Sequence, residues 1–285
     1  MYSTLISATE LQTLMAGQQP LMVFDCSFEL MQPTGGDKQY QESHISGATR
    51  ADLDRHLSAK GAPDAASGGR HPLPSRESFA SWLGSVGLHP DMQVVVYDRQ
   101  GANYSGRLWW MLKWVGHEAA AVLDGGLQAW LAAGGAAESG AGPALQSSDY
   151  PLAASRAALV TTETVLKHLA HPGQTILDAR SAPRFRGEVE PLDPVAGHIP
   201  GALNRLFSDN IGADGCFKPA AQLRAEFDTL LAGRDPASVV HHCGSGVSAL
   251  PNLIAMEIAG LGRSALYAGS WSEWCSDAGR PVARG

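Results

Sequence analysis

Along the chain, short apolar runs alternate with stretches in which apolar residues recur at helical spacing. Leu21–Cys26 (LMVFDC), Met92–Asp98 (MQVVVYD), Gln174–Arg180 (QTILDAR) and Ala237–Cys243 (ASVVHHC) each hold a brief apolar core bounded by polar residues. Runs of that length suit strands buried on both faces of a parallel sheet. Between them, Phe79–Gly87 (FASWLGSVG) and Leu223–Gly233 (LRAEFDTLLAG) have the spacing of amphipathic helices and stop at glycine. Ser7-Ala8-Thr9-Glu10 is a capping box, which predicts a helix start. Strands and helices in alternation predict an α/β fold, with mainly parallel sheets carrying helices on both faces.

The pattern occurs twice. LMVFDC, ESHISGAT (Glu42–Thr49), MQVVVYD and VLDGGLQAW (Val122–Trp130) are followed, in the same order, by QTILDAR, AGHIPGAL (Ala196–Leu203), ASVVHHC and LYAGSWSEW (Leu266–Trp274). Four matched segments in one order mark a duplication. Residues 136–157 are rich in Gly, Ala, Ser and Pro and read as a surface linker. They separate an N-terminal domain, 1–135, from a C-terminal one, 158–285. Each is long enough for one core.

Composition narrows the function. With 44% hydrophobic and 17% charged residues, the chain of 285 is expected to be a soluble globular protein. A net charge of −7 argues against a nucleic-acid or anionic-membrane partner. No apolar run approaches the ~20 residues of a membrane span, and the first residues lack the pattern of a signal peptide. The four cysteines, Cys26, Cys216, Cys243 and Cys275, are too scattered for a disulfide scaffold or a zinc site. A reducing, cytoplasmic setting is expected.

One cysteine stands apart. Cys243 ends a predicted strand, glycines and serines follow it in CGSGVSA, and a helical stretch begins near Ser248. In open α/β sheets ligands bind beyond the carboxyl ends of strands. Glycines let such a turn bring successive N–H groups, and the positive end of the next helix, towards the Cys243 sulfur. Both would stabilise a thiolate. The plainer reading is a buried structural cysteine on a strand-to-helix turn. A cysteine phosphatase would need an arginine six residues on, and that position is Ala249.

The Cys243 loop, the repeat, GHIPGAL and the terminal GSWSEW together resemble a two-domain rhodanese-type sulfurtransferase of the thiosulfate and 3-mercaptopyruvate group. The resemblance implies two rhodanese folds with catalysis in the C-terminal one, through a persulfide on Cys243 and without metal or organic cofactor. Asp98 holds the equivalent place in the first half and cannot carry a persulfide. Family loops suited to thiosulfate resemble CRKGVTA, with two cations facing a dianion. Here Gly244 and Ser245 replace them, which resembles the mercaptopyruvate pattern, with Gly246, Val247 and Ser248 completing the loop.

By the same resemblance Arg184 grips the substrate carboxylate, while Arg180 is read as pinning the strand end. A second family arginine falls on Pro191 here, which leaves Arg186 as the candidate substitute. Asp54 and His71 match family residues at the cleft between domains and would form a proton relay with Ser245; the alternative is that both are surface groups in a long loop. His44 and His198 are read as turn residues. The implied partners are a small sulfur donor and an acceptor such as cyanide or a thiol, thioredoxin among them. The alternatives are a thiosulfate:cyanide sulfurtransferase using the same residues and, from another class, a persulfide carrier or docking module with little turnover of its own.

Overall fold

The computed structural model describes residues 1–285 and divides into two compact units. The first comprises residues 1–59, 74–156 and 211–217, and the second 60–73, 157–210 and 218–285. Each unit therefore borrows a segment from the other half of the sequence.

In the first unit the chain runs β1 (Leu5–Ile6), α1 (Ala8–Ala16), β2 (Leu21–Asp25), α2 (Gly35–Glu42), β3 (His44–Ile45), β4 (Thr49–Arg50), α3 (Arg76–Ser85), β5 (Gln93–Tyr97), α4 (Ser105–Trp114), β6 (Ala120–Leu123), α5 (Gly126–Ala132) and β7 (Ala137–Glu138). The capping box at Ser7 and Glu10 opens α1, each side chain accepting the other residue's backbone N–H. Five strands form an all-parallel sheet in the order β1-β6-β5-β2-β4. Its central strand β5 is buried throughout, as a continuous apolar run requires. The stretch read as a linker is held on this unit: β7 pairs with β3, and Ser148 and Ala153 donate to the Gly84 and Val115 carbonyls.

The second unit repeats the plan with β8 (Ala158–Leu159), α6 (Thr162–Lys167), β9 (Thr175–Asp178), α7 (Ala182–Arg186), β10 (Leu203–Asn204), α8 (Ala220–Leu231), β11 (Val239–His242), α9 (Leu250–Ile258), β12 (Ala265–Leu266) and α10 (Ser270–Trp274). Its sheet order is β8-β12-β11-β9-β10, again all parallel, so every strand has a counterpart at the same place in the first sheet. Val240, Ile176, Tyr267, Trp271 and Trp274 pack the core beneath the sheet's working end. No helix is long and apolar enough to cross a membrane.

Candidate active site

Strand register fixes the chemistry at the carboxyl end of the second sheet. His242 on β11 lies opposite Asp178 on β9, and Cys243 is the next residue. Arg180 clamps Asp178 through Nε and Nη2, the latter at 2.6 Å, donates to the Gly197 carbonyl, and lies 4.6 Å over the Trp271 ring. Burial works to raise the Asp178 carboxyl, but Arg180 and His242 outweigh it and hold the group below its usual range. The structure thus gives Arg180 the pinning role read from sequence. His241 turns the other way, to Ser264 Oγ at 2.7 Å, and burial pushes its pKa down to about 3. Burial also lowers His242.

After Cys243 the chain turns through Gly244–Ala249 and enters α9 at Leu250, seven residues on. Cys243 is 2% exposed, and Gly244 to Val247 are buried while Ser248 is half-buried. Gly246 has φ +72°, and a Cβ there would lie 2.2 Å from the Ala268 carbonyl oxygen, so only glycine fits. The loop is stitched to α10. Trp271 and Ser272 donate their N–H groups to the Cys243 and Gly244 carbonyls, and Cys243 N–H donates to Ser270 Oγ at 3.1 Å. That is the structural use of the terminal GSWSEW.

The first unit shows what such a loop holds. Asp98 follows β5 as Cys243 follows β11, and α4 likewise begins seven residues later, at Ser105. The Asp98 carboxylate accepts from the N–H groups of Gln100, Ala102, Tyr104 and Ser105 and from Ser105 Oγ, at 2.8–3.1 Å. Four convergent backbone amides make an anion cradle, which the first unit fills with its own carboxylate. In the second unit a thiol-bearing residue stands at the head of a loop of the same length.

Residues 60–73 belong to the second unit and bring His71 to this loop. Gly68 N–H donates to Glu273, and Arg70 N–H to Ser272 Oγ at 2.9 Å. Gly69, at φ +85°, lets the backbone pass so close to α10 that a Cβ would sit 2.5 Å from the Gly269 carbonyl oxygen. So held, the buried His71 ring places Nδ1 2.8 Å from Ser245 Oγ. The Ser245 hydroxyl is therefore engaged by an imidazole.

Of the candidate arginines, Arg184 reaches the loop and Arg186 does not. Arg184 Nη1 lies 3.6 Å from the position a Cβ on Gly244 would take. Its Nε and Nη2 bond Glu190, and Nη2 also reaches Asp193 at 3.2 Å. Arg186, two positions on along α7, points elsewhere and pairs with the exposed Glu188 at 2.6 Å. Asp54 lies in the first unit, where its N–H donates to Asp52. His44 and His198 are structural, but in strand pairings and not in turns: His44 lies in β3 and His198 bridges to Ala283, each Nδ1 pairs with a backbone carbonyl, of Tyr40 or Phe185, and each ring stacks 3.8 Å from that residue's ring. Sequence reading passed over Arg70. Its Nη2 would lie 3.0 Å from a Gly244 Cβ, and its Nη1 pairs with Asp193 at 2.5 Å. A cation immediately before His71, in a chain lacking the second family arginine, was the available signal.

Two matched parallel sheets, each ending one central strand in a loop of the same length that leads into a helix, define a duplicated α/β architecture. A family model described as the rhodanese-like domain matches residues 7–133 and 161–277, and the chain belongs to the rhodanese family. It is 48% identical over 269 residues to a Pseudomonas aeruginosa protein named "Probable 3-mercaptopyruvate sulfurtransferase", covering 93% of each chain. It is 34% identical over 265 residues to the "Thiosulfate sulfurtransferase" of Cricetulus griseus, covering 89% of this chain and 84% of that one. Among solved structures, the 3-mercaptopyruvate sulfurtransferase from Leishmania major superposes with a TM-score of 0.83 at 32% identity, over 96% of this chain and 74% of that one.

Proposed function

We propose that this chain is a sulfurtransferase that takes sulfur from 3-mercaptopyruvate onto Cys243 and passes it to a thiol or cyanide. The observation that carries the reading is Cys243 heading a loop whose counterpart in the first unit wraps a carboxylate in four backbone amides. An anionic persulfide fits such a cradle. The donor assignment rests on a loop without cations of its own, Gly244 and Ser245, beside Arg184. It also agrees with the Pseudomonas and Leishmania relatives, whose names carry mercaptopyruvate.

In this mechanism the Cys243 thiolate attacks the donor sulfur and the carbon–sulfur bond breaks, its electron pair leaving as the pyruvate enolate. The donor's thiol proton passes through the Ser245–His71 pair to the enolate carbon, and pyruvate departs. The acceptor then attacks the outer sulfur of the persulfide, the sulfur–sulfur bond breaks, and the Cys243 thiolate returns. Gly246, Val247 and Ser248 shape the cradle. From the resemblance, Asp54 is a further candidate for the proton path, and Asp54→Ala kinetics measure its share. A small thiol, or the exposed dithiol of a thioredoxin, suits the acceptor step.

Steady-state transfer from 3-mercaptopyruvate and from thiosulfate, measured side by side, tests the donor. The account expects kcat/KM at least about tenfold higher for 3-mercaptopyruvate, the worth of one charge-assisted hydrogen bond. A preference for thiosulfate would assign the donor to the other branch of the family. No turnover of either would favour a persulfide carrier.

A further inference from the structure

The second unit holds a pair of guanidinium groups aimed at one spot. Arg70 comes from the borrowed segment 60–73 and Arg184 from α7, and both stand over the open face of Gly244, next to Cys243. Between them lies Asp193, a buried carboxylate that takes Arg70 Nη1 on Oδ1 and Arg184 Nη2 on Oδ2. Glu190, also buried, takes Arg184 Nε and Nη2 side by side. Glu190 and Asp193 thus hold the Nε–Nη2 edge of Arg184, and Asp193 holds Arg70 through Nη1. Arg184 Nη1 and Arg70 Nη2 remain turned towards Gly244, and Arg70 Nε is buried without a hydrogen-bond partner.

A fork fixed along one edge presents its other donors with little orientational freedom left to lose, which favours a planar anion. Gly244 leaves the space in front of those donors empty, since any side chain there would start 3.0 Å from Arg70 Nη2. An α-keto acid whose sulfur sits on Cys243 has its carboxylate two carbons away from the carbon that bears the sulfur, within reach of that spot.

We infer that Arg70 is the second donor-binding residue of the site: Arg70 Nη2 and Arg184 Nη1 take the donor carboxylate together, and Asp193 holds both guanidinium groups in position. Arg186, paired with Glu188 at the surface, has no part in it. The inference rests on 3-mercaptopyruvate being the donor.

Ping-pong kinetics separate binding of the donor from a general loosening of the loop. Wild type, Arg70→Ala and Arg70→Lys are assayed with 3-mercaptopyruvate as donor and a neutral thiol as acceptor, both concentrations varied. Arg70→Ala should lower kcat/KM for the donor about 10- to 150-fold, the loss of one charge-assisted hydrogen bond. It should leave kcat/KM for the thiol within about threefold, because the carboxylate has gone by then. Arg70→Lys should recover part of the donor-side loss. Donor kcat/KM within about threefold of wild type in Arg70→Ala would overturn the inference, as would donor and acceptor values falling together; both leave the donor reading intact. A wild type that turns over thiosulfate but not 3-mercaptopyruvate overturns the donor reading and this inference with it.

Discussion

Gly244 is where the residue-scale account is most exposed to test. Thiosulfate-type loops place a cation here, whereas this chain keeps the position bare and supplies cations from outside the loop, Arg184 among them. Removing Arg184 should cost the donor step about 1.5–3 kcal/mol, or a 10- to 150-fold loss in kcat/KM. Arg184→Lys should restore part, since a point charge cannot reproduce the planar fork. Arg186→Ala should leave kcat/KM within about threefold, because its guanidinium leaves the helix on another side and meets Glu188. Equal losses in Arg184→Ala and Arg186→Ala, measured with 3-mercaptopyruvate, would contradict this division of roles. The relay is read the same way. Ser245→Ala leaves His71 Nδ1 without its 2.8 Å partner and should lower kcat by about 10²-fold or more. An unchanged kcat would remove Ser245 from the proton path.

At the scale of elements, two parts hold the site: the Asp178–Arg180 pair at the end of β9, and α10, which ties the Cys243 loop to segment 60–73. Arg180→Ala strands a fully buried carboxylate, and breaking such a pair costs about 3–5 kcal/mol. The melting temperature should fall by roughly 10 °C or more. A fall of under about 3 °C would show that Asp178 does not need its partner. What could be read in the sequence divides along the same line. The capping box at Ser7, the strands ending at Asp98 and Cys243, and the glycine-bearing turn before α9 were legible because neighbours within a few residues dictate them. Arg70 was not, because its meaning comes from Asp193 and Gly244, more than a hundred positions away. No local pattern says that a segment of the first half folds with the second unit. Arg186 looked equivalent to Arg184 until helix geometry turned them apart.

Across the whole molecule one strand order is used twice, and the two copies differ at the position that matters for chemistry. The first unit fills its cradle with Asp98, whose carboxylate satisfies four amides and a hydroxyl. The second puts Cys243 there. Of the other three cysteines, Cys26 and Cys275 are buried, and burial raises the thiol pKa of all three above the ordinary range, leaving them poor thiolates. The central claim is therefore that the molecule carries one sulfur, on Cys243 alone. Intact-mass measurement after treatment with 3-mercaptopyruvate and removal of excess donor tests it most directly. The account predicts one added sulfur atom per chain in the wild type and none in Cys243→Ser. A second added sulfur in the wild type, or one retained in Cys243→Ser, would contradict it.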